Sequence, residues 1–529
     1  MALTERTAPP PEAARDQEAD RDQEAGRARL PFALRTMQTA RVAVRAHGLF
    51  TLIFAAGLAW RVLTEIAYRP ALLYIDSVKY LAGSDASEPQ GYRLLLRLLD
   101  PIGGLGLVAA AQHVFGLAMA IAGYALLVRR RVPRWLAALA VAPVLLDAYQ
   151  LQLEQTIMPD VLFETMITAG LVLLLWPRRP RLRLVAAGAL VLGAAVTVRE
   201  IGAVLLVPVV IFAVLSVPRP LTARRRSKRT GWAALAGACF LLPALGYMTG
   251  TFGFTGHFGL ASNGPGPEYG RAAAAADCVT LKVPAAERAV CPSPARTLVL
   301  GGVDGLLNNP ESPGLTAPVP AGSTREELLA GFSLAVLRQQ PLRVTAALAR
   351  DSVRLFALTR DGNPEITVIW RWQFQTSYPA YLPKFTTTVF TQLARQNGSG
   401  DPETVKPAAT ILRDYQLHGG YTPGPLYALA LAAGLAGSLS GLIRRRIVRD
   451  GEPAAACLLV TLSAVVLLVS SDAFEFSWRY QLPAVILLPL AGALGLTACS
   501  TAVRTATGGR DRRTRPAAAE SGPRAPAAR

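Results

Sequence analysis

The sequence predicts an all-α polytopic membrane protein, with about ten transmembrane helices and a partly helical loop domain outside the cytoplasm. Two observations carry this. Apolar runs long enough to cross a bilayer recur along 529 residues that are 51% hydrophobic, with a mean hydropathy of +0.31. Five arginine-rich clusters (Arg129–Arg134, Arg178–Arg183, Arg219–Arg229, Arg444–Arg449 and Arg510–Arg515) each border such a run. Loops rich in Lys and Arg stay on the cytoplasmic side. The net charge of +19 therefore reads as membrane orientation and contact with anionic head groups, and nucleic acid is excluded as a partner.

Residues 1–45 are rich in Ala, Arg, Glu and Pro and predict a disordered cytoplasmic segment. The first apolar run begins near His47, after a polar leader, and predicts an uncleaved anchor rather than a signal peptide. Ten spans are predicted, at about 46–67, 104–127, 135–151, 158–176, 184–199, 200–217, 231–253, 422–442, 454–471 and 480–503. Around Arg199–Glu200 the pattern allows either two short spans or one broken helix. An even count puts both termini in the cytoplasm, with every Arg cluster on that face. The opposite face receives a first loop of about 68–103, a link near 152–157, a domain of about 254–421 and a link at Asp472–Arg479. The tail, 504–529, is again predicted disordered.

The 254–421 segment has Gly-, Pro- and Asn-rich stretches and helical patterning from Thr324 to about Thr359, interrupted at Pro341. Cys278 and Cys291 lie in it, and outside the cytoplasm they predict a disulfide. A zinc site there lacks a nearby Cys or His to complete a ligand set. Cys239, Cys457 and Cys499 fall in apolar runs and read as small hydrophobes.

Candidate chemistry gathers on the outer side. The first loop reads Tyr74-Ile-Asp-Ser-Val-Lys-Tyr80, then Glu88-Pro-Gln-Gly-Tyr-Arg93. Its apolar residues suit a helix lying along the membrane interface, with Asp76 at the lipid surface. Asp76 there is either a general base for a hydroxyl acceptor, part of a cation site that meets phosphate, or a solvated loop carboxylate. Lys79 and Arg93 either bind phosphate or snorkel to head groups. Glu154 and Asp160 flank the mouth between spans three and four, with Pro159 in the first helical turn and Asp160 complementing the helix dipole. Glu164 lies a turn deeper, where a carboxylate is expensive and usually functional or paired. Arg199 and Glu200 either pair or face a polar cavity. Arg479 could hold a phosphate by bidentate hydrogen bonds, while Trp478 and Tyr480 also suit an interfacial aromatic belt. Nucleotide-binding and serine-hydrolase motifs are absent, and the four histidines are scattered.

Three of these motifs together resemble the GT-C superfamily of membrane glycosyltransferases, in the branch of protein mannosyltransferases and the aminoarabinose transferase of lipid A. Asp76-Ser-x-x-Tyr80 followed by Gly91-Tyr-x-Leu-Leu-Leu resembles the acidic first outer loop; Glu154 to Glu164 resembles the second acidic loop; Arg479-Tyr-Gln-Leu-Pro483 resembles the family's Arg-Tyr-x-Leu-Pro signature. The stretch from Tyr269 to Cys278, with Cys291-Pro292 beyond, is similar to outer loops of actinobacterial relatives. The resemblance implies transfer of a sugar from a polyprenyl-phosphate carrier to a hydroxyl of an envelope glycan, lipid or protein, with inversion, outside the plasma membrane. Asp76 is then catalytic, and Tyr80, Lys79, Glu88, Arg93, Glu154, Asp160, Arg199, Arg479 and Tyr480 bind substrate. Where relatives often have paired acids this chain has Asp76-Ser77, and Pro159-Asp160 stands in place of Ser-Glu or Thr-Asp, so a divalent cation, Mg or Mn, stays open as a cofactor. A transporter or flippase of envelope precursors is the main rival, although no two similar halves are visible. A non-catalytic assembly subunit of the same fold is the other.

Overall fold

The computed structural model describes residues 47–82, 88–217, 223–261, 266–381, 384–443 and 453–513. The expected disordered leader, the Arg444–Arg449 cluster and the tail beyond 513 lie outside them. The chain divides into two units, Met1–Leu52 and Ile53–Arg529. In the first, the opening turn of a helix has Thr51 N and Oγ1 donating to His47 O, at 3.0 and 3.2 Å.

The fold is nearly all helix. In order the helices are α1 Gly48–Ala67, α2 Ile75–Leu81, α3 Tyr92–Arg129, α4 Arg134–Leu146, α5 Ala148–Gln155, α6 Asp160–Leu175, α7 Leu182–Ala195, α8 Leu206–Leu215, α9 Ala223–Thr255, α10 Gly266–Ala275, α11 Ala285–Ala289, α12 Pro294–Leu300, α13 Gly302–Asn308, α14 Pro313–Thr316, α15 Arg325–Gln339, α16 Pro341–Arg354, α17 Thr387–Gln396, α18 Lys406–Leu417, α19 Gly424–Ile443, α20 Pro453–Phe474 and α21 Pro483–Arg513. Two short strands, β1 Tyr68–Arg69 and β2 Glu403–Thr404, pair antiparallel.

Among the described residues, six helices are long and apolar enough to cross a membrane: α1, α3, α9, α19, α20 and α21. A seventh is the pair α4–α5 taken as one span, bent by 49°. Helix occurs in every segment expected to span, but several pieces are shorter than a bilayer requires. Asp147 explains the bend. Its backbone is extended (φ −66°, ψ 120°), and its carboxylate caps α5 by accepting from Tyr149 N at 3.0 Å. At Arg199 the chain is also extended, so α7 ends and a 3₁₀ turn, Glu200–Leu205, leads into α8. The 184–217 region is two helices with a break. The helix of span two starts earlier than expected, at Tyr92, and is interrupted at Gly103 and Gly104. There Leu105 N donates to Ser399 Oγ at 2.7 Å, a cap supplied from 294 residues away. The last helix runs to Arg513, into the region expected to be disordered.

The helices pack through small residues. α21 lies against α19, α20 and α4, and α6 against α3 and α7. A Cβ at Gly495 would sit 2.0 Å from Ala433 O, so only glycine lets α19 and α21 approach so closely. Residues 266–354 form a helical module around Tyr269, Phe332 and Val336, with the Cys278–Cys291 disulfide at its edge (Cα–Cα 5.9 Å). Thr324 and Glu327 form a capping box at the start of α15, and Pro341 opens α16, as the sequence pattern requires. The later segment does not stay with that module. α18 packs on α1 and α5 through Leu412, Ala409 and Tyr68, and Trp60 stacks on Tyr415 at 4.0 Å.

Candidate functional site

Asp76 sits in the first turn of α2, a helix of only seven residues. Its position is set by backbone bonds to the segment after α5. Leu72 N donates to Gln155 O (2.9 Å), Ile157 N to Leu72 O (3.0 Å), and Ser77 Oγ to Ile157 O (2.9 Å). Leu72, Leu73, Ser77 and Tyr80 are buried in the protein. Of the apolar residues expected along an interface, Leu72 and Leu73 are taken up by internal packing, while Ile75, Val78 and Leu81 on α2 stay half-buried. Asp76 itself keeps 22% of its side chain exposed.

Pairing the 72–77 and 155–157 segments brings Asp76 close to Asp160, the first residue of α6. Arg479, from the turn before α21, joins the two. Its Nη1 donates to Asp76 Oδ2 at 2.6 Å, while Nε and Nη2 hold Asp160 at 3.1 and 2.9 Å. Arg199 Nη1 donates to the other side of Asp160, at Oδ1. Lys79 Nζ stands 3.7 Å from Asp76 and 3.3 Å from Glu88. Aromatic rings complete the walls: Tyr480 faces both Arg199 (5.1 Å) and Arg479 (5.5 Å), and Trp372 covers Arg479 at 5.6 Å. Tyr80 is buried edge-on against Tyr92 at 5.4 Å. Six of the expected site residues, Asp76, Lys79, Glu88, Asp160, Arg199 and Arg479, thus form one alternating charge cluster, with Tyr480 against it.

The electrostatics follow from that geometry. Burial raises the Asp76 carboxyl, but Arg479, Lys79 and Arg199 outweigh it and hold the group below the usual carboxylate range. Burial opposes the charge on Arg479, and Asp160 and Asp76 more than compensate, so it stays firmly protonated. The cluster is an ionised carboxylate with one side exposed, backed by the buried guanidinium of Arg479 and, beyond Asp160, the half-buried one of Arg199.

Two expected members are elsewhere. Glu154 does not face this cluster. It is fully buried on α5, taking Arg61 Nη2 at 2.7 Å and His113 Nδ1 at 2.9 Å. The helical turn from Glu154 points it toward α1 and α3, where it gives Arg61 a counter-charge and His113 a hydrogen-bond partner. Gly116 makes room, since a Cβ there would lie 2.0 Å from Glu154 Oε1. Arg93 bonds to Gln90 at 3.4 Å in the first turn of α3. Glu164 takes Gln150 Nε2 at 3.0 Å, one turn below Asp160. Trp478 and Phe476 are buried against each other (5.2 Å), so Trp478 is no interfacial belt residue.

Sequence reasoning missed Arg61, His113 and Trp372. Arg61 had a signal, a charge inside the first apolar run. Trp372 had none, as its role depends on a distant loop folding over Arg479. A further arginine, Arg360, holds Asp147 at 2.8 Å beneath Tyr149 (4.3 Å). Among the described residues no group of three or more His, Cys, Asp or Glu could hold a metal ion.

No protein-family profile, curated protein or solved structure matches the chain.

Proposed function

We propose that the chain is an integral membrane glycosyltransferase that moves a sugar from a polyprenyl-phosphate carrier to a hydroxyl acceptor outside the cytoplasm. The observation that carries this reading is Arg479 bridging Asp76 and Asp160 beside Arg199. Transfer from a lipid phosphate needs cationic donors for the departing phosphate and a carboxylate for the acceptor proton, side by side. The cluster holds both.

In the reaction proposed, the acceptor oxygen forms a bond to the anomeric carbon. The bond from that carbon to the phosphate oxygen breaks, and its electron pair leaves with the lipid phosphate. The acceptor proton passes to Asp76. Arg199 and Arg479 stabilise the charge growing on the phosphate, and a single displacement inverts the anomeric centre. Lys79 and Glu88 flank the approach. Membrane placement is supported by the six long apolar helices. The face is supported by the arrangement of the ends: Arg129 and Arg130 donate to Trp176 O and Leu175 O, at the far end of α6 from Asp160. Sixteen helical residues put that end about 24 Å away.

The test is transfer in proteoliposomes from a labelled polyprenyl-phosphate sugar. Asp76→Asn is expected to lower the rate by about 10²- to 10⁴-fold, the usual contribution of a general base, while expression and thermal unfolding match the parent. A folded, fully active Asp76→Asn protein would sink the assignment. Lipid profiling of a deletion strain should show the donor accumulating, which would also identify the sugar.

A further inference from the structure

The 266–354 module carries an exposed apolar stripe on α16. Leu342, Ala346, Ala349 and Val353 are all exposed, Leu342 and Val353 at 82% and 61%. Steps of three and four residues put them on one face of the helix. Arg343 and Arg350 flank that face, and Arg350 keeps 63% of its side chain exposed. The opposite face is spent. Val344 packs on the core of the module, and Asp351 pairs with Arg271 at 2.6 Å. Between residues 334 and 358 the basic residues are Arg338, Arg343, Arg350 and Arg354, and the single acid is that buried Asp351. Where α16 ends says what covers the stripe. Arg271, which holds Asp351, also donates to Asp472 O at 2.8 Å and Phe474 O at 3.3 Å. Those carbonyls close α20, which can cross a membrane over Ala454–Phe474. Just past α16, Ala357 O stands against Gly424, where a Cβ would come within 2.1 Å of it. Gly424 opens α19, which can cross a membrane over Gly424–Gly441.

We infer that α16 lies in the outer interface of the bilayer, its stripe at the boundary of acyl chains and head groups and its arginines among the lipid phosphates. The inference rests on the membrane placement proposed above, not on sugar transfer. In that placement the ends of α19 and α20 that touch α16 both face outside. The carboxyl end of α16 is therefore level with the point where two spans leave the hydrocarbon. Val353 stands beside that level, and the stripe runs about 16 Å along the helix from it to Leu342. The module occupies one side of α16 and the stripe faces the other. An apolar face flanked by arginines is the pattern of a helix resting on a bilayer, because the arginine stems cover apolar surface while their heads reach phosphate. A soluble partner or a second copy needs no alignment with the span ends, whereas a bilayer requires it. The seat also bears on the Asp76 cluster. Asp304 of the module holds Arg371 at 3.1 Å, and the next residue, Trp372, covers Arg479. Fixing the height of the module over the membrane thus fixes that cover.

The experiment uses the full chain in vesicles of phosphatidylcholine and phosphatidylglycerol, with Cys239, Cys457 and Cys499 replaced by alanine. A bimane label is placed on Leu342→Cys or Ala346→Cys, and on Ala321→Cys as the aqueous reference, all with melting temperatures like the unlabelled parent. Lipid carrying a doxyl group near the top of its acyl chain is expected to quench about fivefold more strongly at 342 and 346 than at 321, and aqueous iodide about fivefold more weakly. Iodide quenching equal to the reference at either stripe position overturns the proposal. Protection from both quenchers also overturns it, and protection that fades as the protein is diluted in lipid marks a second copy as the occupant. A chain that does not enter vesicles overturns the membrane placement itself, so the two failures are distinguishable.

Discussion

Arg479 meets Asp76 across 403 residues of chain and Asp160 across 319. Its planar fork holds Asp160 through Nε and Nη2 while Nη1 reaches Asp76, a spread of donors that the single nitrogen of a lysine does not reproduce. Arg479→Lys is therefore expected to lose most transfer activity even though the charge is kept, and steady-state kinetics with labelled donor would check it. Glu154 is a different kind of residue. Glu154→Gln leaves Arg61 without a counter-charge in the interior, so a loss of about 3–5 kcal/mol and a clear fall in melting temperature are expected. Gly116→Ala should be milder, about 1–3 kcal/mol, through the clash with Glu154. Glu475 lies just past α20, where Thr367 Oγ1 donates to it. Burial, then the nearby Asp304, pushes its carboxyl up to about 8 from the usual 4.5. The folded state thus keeps a proton that the unfolded state has lost between those values. Its contribution to stability is fully present below about pH 4.5 and is lost as pH rises through about 8. Glu475→Gln should flatten the melting profile across that window, and an unchanged slope would reject the argument. At this scale the sequence named the residue types well. It could not say that Glu154 and Asp160, six positions apart, would serve different partners, because that depends on which helices pack on each side.

The elements were legible where local chemistry dictates them. Apolar periodicity marked the long helices, Thr324 and Pro341 marked the ends of α15 and the start of α16, and the Cys278–Cys291 pairing is present. The breaks were less visible. Asp147 bends α4 against α5 because its carboxylate is claimed by Tyr149 N, Thr422 N and Arg360, two of which come from far along the chain. The disulfide closes a short loop, with a sequence separation of 13. Replacing both cysteines by serine should cost about 3 kcal/mol in the 266–354 module. Differential alkylation with and without reductant, followed by thermal unfolding, measures both parts of that expectation.

For the whole molecule, the proposed orientation makes one direct prediction. Ala321 is exposed, in the turn before α15. In intact cells a membrane-impermeant maleimide should label Ala321→Cys, while an amino-terminal tag stays protected until the membrane is opened. The reverse pattern would invert every face assigned here. By itself the sequence determined that the chain is built of apolar helices, roughly where each one lies, and which charged residues stand out against them. Those properties are local, read from hydropathy and spacing within a few turns. Only the tertiary structure decided that Asp76, Asp160, Arg199 and Arg479 share one cluster and that Glu154 belongs to Arg61 and His113. The physical reason is that a buried charge takes its partner from whichever helix packs beside it, and that neighbour is chosen by side-chain shape across hundreds of residues.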